Sequence, residues 1–342
     1  MIIKIIVNNG NNMKAILMTE TGSPEVLHLA NIDEPEISQP AEVKIKIKAA
    51  SINPIDTKIR KNGSFYSQPL PIVLGCDGAG EVISVGETVS NFKVGDEVWF
   101  CHGGLGQEQG NYAEYTVIDS RWVALKPKTS TFSEAASMPL VLITAWGALF
   151  DKGHLKHNET VLIHAGAGGV GHVAIQLAKL KGAKVITTVS SEEKALFCKS
   201  LGADHVIIYS ECDVESEIKS LTDNKGANLI IDTVGGEVFK QSISSAAYFG
   251  RLITLLDPGQ LNLSEARMKN LLIGFELMLT PLLKNLNTAR DQHINILNQC
   301  AQWVDKGYLT PHISNVFSLN QITDAHSKIE QGHTTGKSII KM

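Results

Sequence analysis

Residues 160–180 read TVLIHAGAGGVGHVAIQLAKL. An apolar run comes first, then glycines at Gly166, Gly168 and Gly171 in the spacing G-x-G-x-x-G, then an amphipathic stretch. The glycine pattern alone is weak; a strand leading into it and a helix leading out of it make it a dinucleotide fingerprint. Each glycine has a separate duty: Gly166 permits the tight turn, Gly168 lets backbone N–H groups approach a pyrophosphate, and Gly171 lets helix and strand pack closely. The N–H groups of Gly169, Val170 and Gly171 then face the phosphates at the positive end of the helix. A turn that is glycine-rich only for packing is the alternative.

The end of the next strand reads VITTVSSEEK, residues 185–194. NAD binders place an acid there against the ribose 2'-hydroxyl. The strand ends instead at Val189, Ser190 and Ser191, with Lys194 one helical turn on, a hydroxyl and a cation suited to a 2'-phosphate. NADP(H) is therefore the expected cofactor. A capping box of Ser190 and Glu193 with a solvated Lys194 also accounts for these residues, and both readings can hold together.

Outward from this motif, strand-like runs TVLIHA, KVITTVS, HVIIYS, NLIIDTV, RLITLL and NLLIGFEL alternate with helix-like connections between Glu159 and Thr280. That alternation predicts a doubly wound parallel sheet covered on both faces. Before it, from Met13 to about Leu125, short runs such as EVKIKIKAASI and GAGEVISVG alternate with the period of two of half-buried strands. The stretch EAASMPLVLITAWGALF, capped by Thr131 or Ser133, reads as a helix leading into the second domain. Residues 288–306 read as one long helix. The fold class is α/β, a β-rich domain joined to a Rossmann-type domain.

With 342 residues, 43% hydrophobic and 19% charged, the chain suits two globular domains, and a net charge of -4 gives no basic footprint for nucleic acid or an anionic membrane. Five scattered cysteines, Cys76, Cys101, Cys198, Cys212 and Cys300, form no CxxC pair, so neither a disulfide framework nor a zinc lobe is expected. Residues 1–12 have no long apolar core and read as an extension rather than a signal peptide. No apolar run is long enough for a membrane span, and the expected compartment is the cytoplasm.

The stretches SINPIDTKIRKNG, LPIVLGCDGAGEVISVG, GNYAEYTVI and LITAWGALF, together with the glycine motif, resemble the medium-chain dehydrogenase/reductase superfamily, and within it the zinc-independent quinone oxidoreductases. The resemblance implies a GroES-like catalytic domain over residues 13–136 and 283–342, a Rossmann NADP-binding domain over 137–282, and an active site in the cleft between them. Zinc members of the superfamily draw their catalytic ligands from positions that here are Asn53, Cys76 and Leu140. Leucine cannot ligate, asparagine is a poor zinc ligand and one cysteine cannot hold the metal, so no metal is expected. An unorthodox site of Cys76, Asp77, Cys101 and His102 remains conceivable, and Cys76 reads better as a buried thiol than as a nucleophile.

The resemblance further implies that Asn53 sits beside the nicotinamide and that Lys58 stands where relatives often carry a substrate-contacting tyrosine. Lys58 could stabilise an oxyanion or simply be solvated. Thr144 matches a position near the cofactor phosphates or ribose, and Tyr209 one lying against the adenosine phosphate. Val234 and Leu256, at the ends of successive strands, should line the cofactor site, because ligands collect at the carboxyl ends of parallel strands. Residues 103–111, GGLGQEQGN, read as a pocket cover or a plain surface loop. NLLIGFELML reads as a sheet edge that pairs across a homodimer axis. The expected reaction is hydride transfer from NADPH to a quinone or α,β-unsaturated carbonyl. A zinc-type alcohol dehydrogenase and a nucleotide-binding sensor with little turnover are the alternatives.

Overall fold

The computed structural model describes residues 11–66 and 70–342. Most of the expected N-terminal extension lies outside the described residues, and the first strand begins at Asn12. The chain forms two compact units. One takes in the chain up to Leu140, Leu279–Lys306 and Pro311–Met342; the other consists of Val141–Met278 and Gly307–Thr310. Gly307–Thr310, read as part of the first unit, belongs with the second because the Thr310 backbone bonds both ends of the Gln176 carboxamide, at 2.8 and 3.1 Å.

The first unit is built on the strand Glu42–Ile52, the EVKIKIKAASI run. Its alternating Val43, Ile45 and Ile47 are buried, and Val43 and Ile45 join Val82, Val98 and Phe100 in one core. Asp77–Val85 pairs with it antiparallel, setting Ser51 opposite Asp77, and Lys337–Lys341 pairs along its other edge, setting Ser338 opposite Ile52. Glu97–Cys101 then sets Cys101 opposite Asp77. These registers bring Ser51, Asp77, Cys101 and Lys337 to one end of the sheet. Helix α1, Pro54–Asn62, starts there, with Asn53 as its N-cap and Pro54 in the first turn, where a missing N–H costs nothing.

The stretch expected as one helix from Glu134 is three pieces: Phe132–Ala136, α2 at Pro139–Trp146, and a π-helical turn at Gly147–Lys152. Pro139 is the physical reason for the first break, since it donates no N–H and disfavours helical backbone in the residue before it. Thr131, not Ser133, is the cap: its hydroxyl accepts from the Glu134 N–H at 3.2 Å, while the Glu134 carboxylate accepts from the Thr131 N–H at 2.7 Å.

The second unit is a six-stranded parallel sheet of β1 (Thr160–Ile163), β2 (Lys184–Val189), β3 (His205–Ile208), β4 (Ala227–Asp232), β5 (Ala246–Thr254) and β6 (Leu272–Phe275). The strand order is β3-β2-β1-β4-β5-β6. The order reverses beside β1, and ligands of open α/β sheets bind outside the carboxyl ends of the strands at such a switch point. Leu162, Ile186, Ile230 and Leu252 form the buried centre, packed against Phe239 and Ile243. Helix α3, Gly169–Leu180, leaves the end of β1, and α4, Glu192–Ser200, leaves the end of β2. The long helix expected at 288–306 is α5, Asn287–Asp305, in the first unit.

Candidate active site

The glycine turn sits at the switch point. A methyl group on Gly166 would overlap the Thr187 hydroxyl, and one on Gly171 would overlap the Ala165 carbonyl, so both positions are closed to any side chain. A methyl on Gly168 would meet only that same carbonyl, at 3.2 Å. Gly168 is the N-cap of α3 and offers no side chain to the helix end. The N–H groups of Gly169, Val170 and Gly171, in the first turn, therefore have no intrahelical acceptor and are available to an anion. The cradle fits a pyrophosphate.

At the end of β2 the Lys194 ammonium donates to the Ser190 hydroxyl at 3.2 Å. The helix cap is Ser191, whose hydroxyl accepts from the Lys194 N–H at 3.4 Å, so the expected capping role of Ser190 with Glu193 is corrected. With Ser191 taking the cap, Ser190 is left paired with the lysine beyond the strand end. Tyr209 follows β3 and is half exposed, and its N–H donates to the Val189 carbonyl. Val234 follows β4 and is exposed; Leu256 follows β5, its Cδ1 3.0 Å from where a Cβ on Gly235 would stand. Thr144 is buried on α2. All these positions belong to the second unit.

Two residues that sequence reasoning missed hold this end of the sheet in shape. The buried Asp232 carboxylate accepts from the N–H groups of Val234 and Gly235 at 2.9 and 2.8 Å, and from the Thr254 hydroxyl at 2.9 Å. His164, next to the glycine turn, bridges Thr188 and Ser242 through its two ring nitrogens at 3.1 and 3.0 Å. Burial pushes its pKa down to about 4, so it is a neutral strut.

In the first unit Asn53 is 1% exposed and its carboxamide is committed at both ends. Its Nδ2 donates to Asp77 Oδ2 at 2.8 Å, its Oδ1 accepts from the Lys337 ammonium, and its backbone N–H donates to Asp56 at 2.8 Å. Asp77 also accepts from the Ser51 hydroxyl and the Leu140 N–H, both at 2.8 Å. Lys337 donates to the Ile52 carbonyl at 3.1 Å and stands 3.8 Å from Asp77. Burial raises the Asp77 pKa against the opposing pull of Lys337, and burial lowers that of Lys337. Asp56, fully buried beside Tyr112, is pushed up to about 6 by desolvation. Lys58, by contrast, is exposed on α1 and takes no part in this cluster. A signal for Asp56 was present, an Asn-x-x-Asp spacing at a helix start; nothing local marked Lys337, which lies 284 positions from Asn53.

The family model for an alcohol dehydrogenase GroES-like domain matches residues 39–128, and that for a zinc-binding dehydrogenase matches residues 201–340. Among similar proteins, the zebrafish (Danio rerio) mitochondrial NAD(P)H oxidoreductase RTN4IP1 is 34% identical over 96% of this chain and 91% of its own. A tomato (Solanum lycopersicum) 2-methylene-furan-3-one reductase is 35% identical over 96% of this chain and 79% of its own. The solved Escherichia coli quinone oxidoreductase complexed with NADPH superposes with a TM-score of 0.85 at 28% identity, over 96% of this chain and 100% of that one. The chain belongs to the medium-chain dehydrogenase/reductase superfamily, on its quinone oxidoreductase branch.

Medium-chain dehydrogenases that carry catalytic zinc need three protein ligands. At the positions expected to correspond here, the Leu140 side chain is hydrocarbon and the Asn53 carboxamide is bonded to Asp77 and Lys337. Cys76 is fully buried, its thiol donating weakly to Asp56 at 3.8 Å and its pKa pushed well above the ordinary value by desolvation and the Asp56 charge. Cys101 is likewise driven upward. No cluster of three or more His, Cys, Asp or Glu side chains suited to a metal occurs among the described residues. His102 faces elsewhere: the Arg290 guanidinium on α5 reaches its Nδ1 at 2.9 Å, stacks 3.3 Å from the Trp122 ring centre and pairs with Glu108 at 3.4 Å. Residues 103–111 are thereby pinned rather than left as an open surface loop. Gly103–Gly106 are buried, and the Asn111 carboxamide bonds the carbonyls of Gly75 and His102 at 3.0 and 2.8 Å.

Proposed function

We propose that the protein reduces quinones and α,β-unsaturated carbonyls with NADPH and without a metal ion. The observation that carries the reading is the end of β1: a turn sterically restricted to glycine, opening onto the free N–H groups of α3, with Ser190 and Lys194 at the neighbouring strand end. Gly166, Gly168, Gly169, Val170 and Gly171 would hold the pyrophosphate, and Ser190 and Lys194 the 2'-phosphate. Thr144, Tyr209, Val234 and Leu256 complete the cofactor site. When bound, the reduced nicotinamide supplies the hydride. The relatives named for NAD(P)H, quinones and a methylene-furanone support the same chemistry.

Metal independence is supported by the donor set and by charge. The Lys337 ammonium already lies among Asn53, Asp77 and the buried thiols, where a dication would face a fixed positive charge at close range. Asn53 acts through the orientation of this cluster, and Lys58, from its exposed place, through stabilisation of the oxyanion that develops on the acceptor. The homodimer reading draws support from β6, the edge strand, whose Leu272 and Phe275 are both more than half exposed. No helix among the described residues is long and apolar enough to cross a membrane, and a cytoplasmic setting remains our reading; fractionation of cells making the full chain tests it. Oxidation of NADPH by the purified protein, followed across a panel of quinones, enones and aldehydes with NADH as control, tests reaction class and cofactor together. Turnover with quinones or enones is expected; turnover only of alcohols with bound zinc would favour an alcohol dehydrogenase.

A further inference from the structure

Reduction of a quinone or enone needs a proton as well as a hydride, and the groups singled out so far are poorly placed to give one. Asp56, Asp77 and Cys76 are fully buried in the first unit, and Lys58 is exposed. In the second unit one acid stands apart. Glu276 follows β6 directly; its N–H donates to the Thr254 carbonyl at 3.0 Å, which places it at the carboxyl end of the sheet, the end where ligands collect. Its side chain turns inward to the helix on that face. A Cβ built on Gly147 would lie 2.5 Å from Glu276 Oε2, so the missing side chain of Gly147 makes the slot in which the carboxyl sits. Gly147 is three residues after Thr144, on the same side of the helical path, and it begins the π-helical turn Gly147–Lys152, a rare distortion that concentrates at functional sites.

We propose that Glu276 is the proton donor of the reduction, resting on the reading of the protein as a quinone and enone reductase. On an enone the hydride forms the new C–H bond at the β-carbon and the C=C electron pair moves onto the carbonyl oxygen. On a quinone it forms an O–H bond at one carbonyl oxygen, and the electron pair displaced through the ring leaves an oxyanion at the other. The Glu276 O–H bond then breaks, its proton goes to that enolate or hydroquinone oxyanion, and its electron pair stays on the carboxylate. Solvent returns the proton. The acceptor gains two electrons and two hydrogens, and NADPH loses the two electrons.

The surroundings suit this duty. Burial pushes the Glu276 pKa up to about 7, with Asp151 adding repulsion and Lys152 opposing it. The carboxyl is in no ion pair among the described residues. Its acid form is thus populated at neutral pH, and the proton-transfer step should slow as pH rises through about 7.

The test compares wild type, Glu276→Gln and Gly147→Ala in two measurements. Infrared titration of the protein without cofactor should show a protonated carboxyl band that disappears near pH 7 in wild type, is absent in Glu276→Gln and is displaced in Gly147→Ala. With NADPH and a quinone or enone, kcat of Glu276→Gln should fall about 10²-fold and lose its alkaline limb, with NADPH binding unchanged. Unaltered kcat and pH profile in Glu276→Gln, or a wild-type protein without the titrating band, would overturn the proposal. A wild type that titrates but reduces no acceptor would overturn the reading of function on which it rests, and with it the assigned role.

Discussion

The Nζ of Lys337 lies 3.8 Å from Oδ2 of Asp77, and both side chains are shut off from water. Neighbouring strand pairings set this ion pair: Lys337 opens the last strand, which lies along one edge of Glu42–Ile52, and Asp77 opens the strand along the other. Removing one partner leaves the other charged and buried, which typically costs about 3–5 kcal/mol. Lys337→Met and Asp77→Asn should each lower stability on that scale in urea unfolding, and the double variant should lose less than the sum of the two. Additive losses would show that the pair is not coupled.

The glycine turn separates folding from cofactor binding. Gly166→Val drives a side chain into Thr187 and should impair folding itself. Gly168→Ala would meet the Ala165 carbonyl at 3.2 Å, a close contact that a shift of a few tenths of an ångström relieves, so the protein should fold while its methyl group stands where the phosphate must approach. Thermal melting and NADPH binding, measured on the same samples, check the distinction: near-normal melting with weakened binding is expected for Gly168→Ala.

Cofactor choice should rest on Lys194. A hydrogen bond to a charged group contributes roughly 1.5–3 kcal/mol. Lys194→Ala should therefore lower kcat/KM for NADPH by about 10–100-fold and leave that for NADH nearly unchanged. Equal losses with both cofactors would point to a structural role for the lysine.

The buried imidazoles should cost stability in mild acid. Burial holds His102, His164 and His293 down to about 4 and His326 to about 3, against an ordinary value of 6.5. Between pH 6.5 and about 4 the unfolded chain binds protons that the folded chain refuses, so folding free energy is lost as pH falls through this window. Asp56 and Glu276, raised to about 6 and about 7, and Asp77, raised by burial, act in the opposite direction, so the imidazole contribution is read by removing one ring at a time. Neither ring nitrogen of His326 has a hydrogen-bond partner among the described residues, and the ring meets Tyr112 edge-on. His326→Phe should flatten the decline in melting temperature between pH 6.5 and 4.5, a range set by the depressed imidazole values.

Much of the second unit was legible in the sequence because its signals are local. Gly166, Gly168 and Gly171 stand between a strand and a helix that each announce themselves, and Ser190 with Lys194 lies at a fixed distance beyond them. The cap at Ser191 was missed by one residue, since two adjacent serines offer the same chemistry and only backbone direction decides between them. The centre of the first unit was not legible for a different reason. Asn53, Asp77 and Lys337 meet through strand pairing across nearly the whole chain, and register of that kind leaves no local mark. Glu276 was hidden in an apolar run, NLLIGFELML, where a single acid in a strand looks like an exposed edge residue. Its meaning depends on Gly147, which is far away in sequence.

Transfer of deuterium from NADPH carrying deuterium at both hydrogens of the nicotinamide C4, followed by mass spectrometry of the product from a simple enone, tests the central claim most directly. A saturated ketone carrying one deuterium at the β-carbon, with NADP+ formed in equal amount and no dependence on chelator, is the result expected. Unlabelled product, transfer that stops when zinc is removed, or no oxidation of NADPH by any enone or quinone would contradict the account.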